Sequence, residues 1–241
     1  MTNKIVIIPT YNEKENISAI ISAVFQLHHD IDILIVDDNS PDGTARIVEE
    51  MKILFQDRLH LLNRKAKNGL GTAYIAGFRW CLEKNYEFIC EMDCDFSHNP
   101  ADLSRLIAAC QDGGNDMSIG SRYLTGVNVV NWPIGRVIMS YYASAYVRLI
   151  TGMKIRDTTA GFVCYKSDVL KNLNLNKIKF KGYAFQIEMK FKTWLKKYKI
   201  IEVPIIFTDR TLGISKMSKG IFKEAVFGVL EMKIKSFFEK N

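Results

Sequence analysis

The sequence predicts an α/β protein built on a doubly wound, mixed but mostly parallel sheet, and three observations predict it. From residue 4 to residue 120, short apolar runs alternate with segments of helical period in a β-α-β-α-β-α-β-α-β order. That alternation requires parallel strands joined by helical crossovers. The run Lys4-Ile5-Val6-Ile7-Ile8 is apolar without alternation and mostly β-branched, which marks a strand covered on both faces. Three of the strands end in polar clusters: Pro9-Thr10-Tyr11-Asn12-Glu13, Asp37-Asp38, and Asp93 with Asp95. They are expected to converge on one crevice at the edge of the sheet where open α/β folds bind ligands.

The elements follow in order. After the first strand, Ile17, Ile20, Ile21, Val24 and Phe25 recur at helical spacing within residues 15–27. Residues 31–36 form a second strand that runs into Asp37-Asp38. The turn Asn39-Ser40-Pro41-Asp42-Gly43-Thr44 then feeds a helix to about residue 54. A third strand at 59–62 precedes Gly69-Leu70-Gly71, which opens a helix to about residue 83, with Ala73, Ala76 and Gly77 permitting close packing. The fourth strand begins at Phe88 and ends on Asp93 and Asp95. Pro100 starts a helix over 100–110, where its missing N–H costs nothing. Residues 117–120 are a short strand. Beyond Gly120 the rhythm is irregular: a helix over 132–150, a strand over 161–165, a helix over 183–197, and a strand over 200–207 whose Pro204 places it at a sheet edge. An amphipathic helix runs from 216 to the end, with Phe222, Val226, Val229, Leu230, Ile234 and Phe237 on one side. No repeat, low-complexity segment or linker interrupts the chain, so a single domain over 1–241 is expected.

Composition narrows the partners. The 241 residues supply a substantial core, and 48% hydrophobic with 24% charged residues exclude wholesale disorder. A formal net charge of +7 favours anionic partners: nucleic acid, an acidic membrane surface or a phosphorylated substrate. No basic cluster with interleaved stacking aromatics supports nucleic acid. The five cysteines, Cys81, Cys90, Cys94, Cys110 and Cys164, are scattered and odd in number. They read as buried thiols of a reducing cytoplasm, not as a disulfide framework. Nor do Cys90, Cys94 and His98 make a zinc site, because Cys90 lies inside an apolar strand and no fourth ligand of the right spacing follows. No signal-peptide pattern opens the sequence, and no apolar run approaches the ~20 residues that span a bilayer, so a soluble or peripheral protein is expected.

The sharpest chemistry lies in Glu91-Met92-Asp93-Cys94-Asp95-Phe96-Ser97-His98. Two carboxylates one residue apart are costly together unless a proton or cation relieves them. A hard divalent ion carrying a diphosphate does so. A solvated acidic turn is the other reading of the same residues.

As an ordered set, Pro9-Thr10-Tyr11-Asn12-Glu13, Val36-Asp37-Asp38-Asn39-Ser40, Gly69-Leu70-Gly71, Asp93-Cys94-Asp95 and Ser121-Arg122-Tyr123 resemble the family 2 inverting glycosyltransferases of GT-A fold. The second half carries Asp157-Thr158-Thr159-Ala160-Gly161-Phe162, Lys181-Gly182-Tyr183-Ala184-Phe185-Gln186-Ile187-Glu188-Met189, and Glu202-Val203-Pro204 followed by Asp209-Arg210, Gly213 and Ser215-Lys216. It is similar to the dolichyl-phosphate (polyprenyl-phosphate) mannosyltransferases of that family, and the likeness covers nearly the whole chain. The resemblance implies a GT-A nucleotide-diphospho-sugar transferase fold with amphipathic interface helices. It divides the domain into a nucleotide-sugar and metal-binding half, 1–125, and an acceptor half, 126–241. The implied reaction is inverting transfer of mannose from GDP-mannose to a polyprenyl phosphate, with Mg²⁺ or Mn²⁺ as cofactor, giving polyprenyl β-mannosyl phosphate and GDP.

By the same resemblance, Pro9, Tyr11, Glu13, Val36 through its backbone, and Asp38 contact the nucleoside, while Asp93, Cys94, Asp95, Arg122, Arg210 and Lys216 complete the donor site. An ordinary strand-end loop and, for Asp38, a helix cap are the plain alternatives. Asp95 and Ser97, with Asp93 beside them, are the implied metal residues. Ser97 stands where some members carry Gln, so a bridging water is an alternative to direct coordination there. Arg122, Arg210 and Lys216 are implied to serve catalysis by balancing the charge of the departing diphosphate, with Lys219 nearby and Gly213 giving a loop its freedom. Arg136 and Ser140, one helical turn apart, are implied to hold the acceptor phosphate. That phosphate is already anionic at neutral pH, so no carboxylate base is required. Gln186 and Glu188 are expected to support the acceptor site from behind.

The helix over 132–150 carries the acceptor residues together with Trp132, Tyr141, Tyr142 and Tyr146. It reads either as a core helix or as an interfacial one facing lipid headgroups, and a lipid acceptor favours the second. The C-terminal helix is open to the same two readings. The expected setting is the cytoplasmic face of a membrane, with peripheral attachment to anionic lipid and a membrane-protein recruiter as a further partner. The alternatives are UDP-glucose or another nucleotide sugar as donor, a hydroxyl acceptor served by a carboxylate base, and a nucleotide or anionic-lipid binding module without catalysis.

Overall fold

The computed structural model describes residues 2–182, 184–210 and 220–238, with only the backbone described over 220–225. The strands are β1 (Lys4–Thr10), β2 (Asp32–Asp37), β3 (Leu59–Asn63), β4 (Phe88–Glu91), β5 (Met117–Ser121), β6 (Val129–Val130), β7 (Val163–Lys166), β8 (Ile200–Pro204) and β9 (Phe207–Thr208). Seven of them form one sheet in the order β3-β2-β1-β4-β7-β5-β8. Among these, β7 alone runs antiparallel to its neighbours, β4 and β5. The separate parallel pair β6 and β9 lies outside that sheet.

Alternation along β1 builds two cores. Ile5 and Ile7 enter one and Val6 and Ile8 the other, all fully buried. Each such side chain contributes about 1.5–3 kcal/mol relative to leaving it in water. One layer holds α1 (Ile17–Leu27), α2 (Thr44–Phe55) and α4 (Leu103–Gln111). The opposite layer includes α3 (Leu70–Glu83), α5 (Ile134–Thr151), α6 (Ser167–Asn172), α7 (Ala184–Leu195) and α8 (Gly220–Ser236). The close approach of α3 depends on missing side chains. A Cβ at Gly77 would stand 2.9 Å from the Ile7 side chain, and one at Gly71 would stand 2.6 Å from the Phe185 ring.

The doubly wound architecture is as expected, and several element boundaries differ. The strand over 200–207 divides, because Pro204 has no N–H to continue the ladder; β8 ends there at the sheet edge, and Phe207–Thr208 turns away to pair with β6. The helix over 100–110 opens with a 3-10 turn at Pro100–Asp102. Of the apolar residues expected on one side of the C-terminal helix, Val229 is buried, whereas Leu230, Ile234 and Phe237 are exposed. That helix docks through Gly228, where a Cβ would stand 2.6 Å from the Phe180 ring, with Val229 and Met232 beside it.

Candidate active site

The carboxyl ends of β2, β1 and β4 lie side by side, with Thr10 opposite Asp37 and Ile7 opposite Glu91. Each of the three loops that leave them reverses through one non-glycine residue with left-handed backbone: Asn12 (φ 56°), Asn39 (φ 59°) and Phe96 (φ 59°). Asparagine adopts this conformation readily, whereas phenylalanine does so under strain. The strained residue therefore sits in the loop that bears the carboxylates, between Asp95 and Ser97.

The first two loops are tied together by Asp37, which is fully buried and accepts from Thr10 Oγ1 (2.8 Å), Ser40 N–H (2.8 Å) and Ser40 Oγ (2.6 Å). Asp38 accepts from Arg64 Nη1 at 2.7 Å, and Arg64 Nη2 reaches Thr72 Oγ1 at 2.7 Å. Burial pushes the Asp38 carboxyl up, against the pull of Arg64. The Lys67 ammonium lies 4.2 Å from the centre of the Tyr11 ring. Glu13 is held by its N–H on Thr44 Oγ1 (3.0 Å) and by Asn16 Nδ2 on its carboxylate (2.9 Å). Pro9 lies within β1, and the Val36 side chain belongs to the core, so only the Val36 backbone can face a ligand.

In the third loop Asp95 is buried. Its Oδ1 accepts the Ser97 N–H at 3.1 Å and its Oδ2 meets Arg210 Nη2 at 2.8 Å. The Ser97 hydroxyl is buried and has no hydrogen-bond partner among the described residues. The Asp93 N–H donates to His98 Nδ1 at 3.1 Å, which leaves the ring proton on Nε2. His98 is buried against Phe162, with ring centres 4.8 Å apart, and burial pushes its pKa down to about 4. Desolvation within the cleft, and then the adjacent Asp95, push the Asp93 carboxyl up, although that side chain stays 38% exposed. Cys94 between them is buried and points into the core.

These residues fit a hard divalent cation. Two carboxylates and a buried hydroxyl with no partner form a small oxygen set, and an ion that keeps waters and takes substrate phosphates needs no more from the protein. No group of three or more His, Cys, Asp or Glu stands ready for a metal among the described residues.

On α5, Arg136 Nη1 lies 2.9 Å from each carboxylate oxygen of Asp209, and its guanidinium lies 4.0 Å from the centre of the Trp132 ring. The Ser140 hydroxyl is buried without a partner among the described residues. The β6–β9 pair brings the Arg136 side of the cleft to the loop of Asp95 and Ser97: the Asp209 N–H donates to Val130 O (3.0 Å) and the Thr208 N–H to Ser97 O (3.3 Å). Arg122 is buried and forked onto Asp157, with Nη2 also on Thr159 Oγ1 at 2.8 Å. Burial alone would raise the Asp157 carboxyl; the Arg122 charge outweighs it and holds the group below its ordinary value.

Gln186 and Glu188 serve elsewhere than expected. Gln186 Nε2 donates to the buried Glu91 at 2.6 Å, beneath the metal loop, and the buried Lys190 donates to Ala160 O at 2.6 Å. Glu188 accepts the N–H groups of Lys179 (2.9 Å) and Phe180 (3.0 Å), fixing the turn on which α8 docks. Gly213, Ser215, Lys216 and Lys219 lie outside the described residues. Arg64, His98 and Asp209 join the site without having been singled out as ligands. Arg64 directly follows the end of β3, a position that could have drawn attention to it.

The comparisons with known proteins bear on the family and the fold. The family model for glycosyl transferase family 2 matches residues 5–173. A polyprenol monophosphomannose synthase from Mycolicibacterium smegmatis is 44% identical over 236 residues, covering 98% of this chain and 89% of that protein. An undecaprenyl-phosphate mannosyltransferase from Micrococcus luteus is 44% identical over 223 residues, covering 92% and 90%. Among solved structures, glucosyl-3-phosphoglycerate synthase from Mycobacterium tuberculosis, in complex with Mn²⁺, UDP and glucosyl-3-phosphoglycerate, superposes with a TM-score of 0.68 at 16% identity over 99% of this chain and 81% of that one. A mannosyltransferase from Pyrobaculum calidifontis in complex with GDP-Man and Mn²⁺ gives 0.64 at 15% identity over 99% and 65%. These two show the fold. The matched family model and the two relatives carry the kinship: the chain belongs to glycosyl transferase family 2 and is a glycosyltransferase.

Proposed function

We propose that this glycosyltransferase moves mannose from GDP-mannose to a polyprenyl phosphate, with inversion, at a membrane surface. The observation that carries the reading is the placement of Arg136 and the unpartnered Ser140 hydroxyl on a helix whose outer side is apolar and uncovered. Ile134, Ile138, Tyr141, Tyr142 and Leu149 recur on α5 at helical spacing and are exposed, Ile134 by 74% and Leu149 by 81%. Neighbouring α8, tied to α5 through Tyr146 Oη on Val226 O at 3.0 Å, exposes Phe227, Leu230, Ile234 and Phe237. No helix among the described residues is long and apolar enough to cross a membrane. Helices of this kind lie in the headgroup region, where a phosphate on a lipid chain would meet Arg136. The two 44% identical relatives, both named for polyprenyl-type mannosyl transfer, support the same substrate class.

The chemistry follows from the residues. Tyr11, Glu13 and Asp38, with Pro9 and the Val36 backbone, receive the nucleoside, and Asp93 and Asp95 hold the diphosphate end. A bound Mg²⁺ or Mn²⁺ supplies charge neutralisation for the diphosphate, with Asp95, Ser97 and Asp93 as its protein ligands. Arg136 and Ser140 fix the acceptor phosphate. Its oxygen forms a bond to the anomeric carbon while the bond from that carbon to the diphosphate oxygen breaks, turning an α-linkage into a β-linkage. The nucleophile arrives already ionised, so no proton is moved. Arg210, with Lys216, balances the charge of the departing GDP. Arg122, its own charge offset by Asp157, contributes chiefly orientation.

A radiolabelled-donor panel of GDP-mannose, UDP-glucose and UDP-N-acetylglucosamine, with polyprenyl phosphate and Mg²⁺ or Mn²⁺, tests the reading. Lipid-extractable label from GDP-mannose alone, in β-linkage, is expected. Label from UDP-glucose would replace the donor, and transfer from none would leave a binding module.

A further inference from the structure

Two ion pairs in the cleft share adjacent residues. Asp209 sits on Arg136, with both carboxylate oxygens 2.9 Å from Nη1, and Arg210 sits on Asp95 at 2.8 Å. The backbone that carries them is the end of β9, fastened to Val130 O and Ser97 O. The site thus neutralises itself. A carboxylate covers the cation assigned to the acceptor phosphate, and a guanidinium covers the carboxylate assigned to the metal.

We propose that Asp209-Arg210 is a charge-exchange strap that makes donor and acceptor binding cooperative. The proposal rests on the acceptor role of Arg136 and the metal role of Asp95 given above. A divalent cation at Asp95 must displace Arg210, because both need the same carboxylate. Arg210 then turns to the diphosphate that arrives with the ion. The neighbouring Asp209 is drawn off Arg136 in the same movement, since one peptide unit separates the two residues. Arg136 is thereby opened to the acceptor phosphate only when the donor is in place. Asp209 is a positioning residue in this scheme: it keeps Arg136 oriented, next to Trp132 at 4.0 Å, and excludes stray anions until the metal and diphosphate arrive. Coupling of this kind is typically 5–150-fold and is reciprocal between the two ligands.

The test measures binding, not turnover. Affinity for farnesyl phosphate is taken by calorimetry with and without Mn²⁺ and GDP, for the wild-type chain and for Asp209→Asn. Asp209→Ser serves as a second variant that removes the side chain's reach to Arg136. In the wild type, Mn²⁺ with GDP should tighten farnesyl phosphate by about tenfold. Farnesyl phosphate should tighten Mn²⁺, read by electron paramagnetic resonance in the presence of GDP, by the same factor. In both variants farnesyl phosphate should bind about tenfold tighter without metal, and the coupling should fall to about one. Variants that bind it no tighter than wild type without metal, or that keep the coupling, would overturn the strap while leaving the proposed function intact. A wild-type chain that binds farnesyl phosphate under neither condition would overturn both.

Discussion

Arg122 and Asp157 form a buried fork-to-fork pair, with Nε on Oδ2 at 2.7 Å and Nη2 on Oδ1 at 2.6 Å. The backbone N–H of Arg122 adds a third bond to Oδ2 at 2.9 Å. The guanidinium also lies 5.3 to 5.5 Å from the rings of Tyr123, Trp132 and Phe207. This pair links the 157–159 segment to the cluster of Tyr123, Trp132 and Phe207, and so it bears first on stability.

Removing one member of such a pair leaves the other charge buried and alone, at a cost of about 3–5 kcal/mol. Asp157→Ala should therefore melt about 10 °C below the wild type, at about 2–4 °C per kcal/mol for a domain of this size. The pH dependence has a definite sign. The Asp157 carboxyl lies below its ordinary 3.8 in the fold, so its stabilisation is complete above that value and is lost as pH falls through the lower folded value. Melting curves between about pH 2 and 6 should show a smaller acid loss in the variant. An equal loss would remove Asp157 from the acid response.

Arg136→Ala should separate acceptor use from donor binding. Loss of a charge-assisted hydrogen bond of about 2–3 kcal/mol corresponds to roughly a hundredfold drop in kcat/KM for polyprenyl phosphate. Ser140→Ala, which removes a neutral hydroxyl, should cost about tenfold. Equilibrium titration with GDP should give a Kd no weaker than the wild type for both. Weaker GDP binding would move Arg136 to the donor side.

The metal assignment makes graded demands. Asp95→Ala should abolish Mn²⁺ binding in the accessible range, read by electron paramagnetic resonance with GDP present. Ser97→Ala should weaken it by about tenfold, the lower end of the range for removal of a supporting ligand. An unchanged affinity in Ser97→Ala would show that the hydroxyl does not reach the ion.

The exposed stripes predict lipid dependence. Leu149→Glu combined with Phe227→Glu removes apolar contacts worth about 1.5–3 kcal/mol each when buried. Flotation with vesicles of one-third phosphatidylglycerol should fall by more than tenfold. Turnover with a short, water-soluble prenyl phosphate should stay at the wild-type level. Undiminished flotation would place the lipid contact on another surface.

Much of this was legible in the residues, for physical reasons. Strands buried on both faces write unbroken apolar runs, and Ile5 to Ile8 and Ile33 to Val36 did so. Acidic strand ends announced the crevice, because a carboxylate there has little else to do. The antiparallel insertion of β7 between β4 and β5 was hidden, since its pairings span long stretches of chain and leave no local period. The contacts of His98, Arg64 and Asp209 were hidden for a related reason: a loop residue whose partners lie on other segments has no spacing to betray them. Phe96 runs against its own propensity, and such a conflict shows only in the backbone. The seat of α8 was open between two readings because the helix docks through Gly228, a residue with no hydropathy to register.

The uncovered aromatics and aliphatics of α5 and α8 also govern how the pure protein behaves as a colloid. Phe227 is 69% exposed and Tyr142 66%, on adjoining helices, and surfaces of this kind adhere to one another when nothing amphiphilic covers them. Its hydrodynamic size should therefore grow with concentration in plain buffer and shrink when micelles are added. Detergent, in that measurement, takes the place of the membrane surface proposed for these helices.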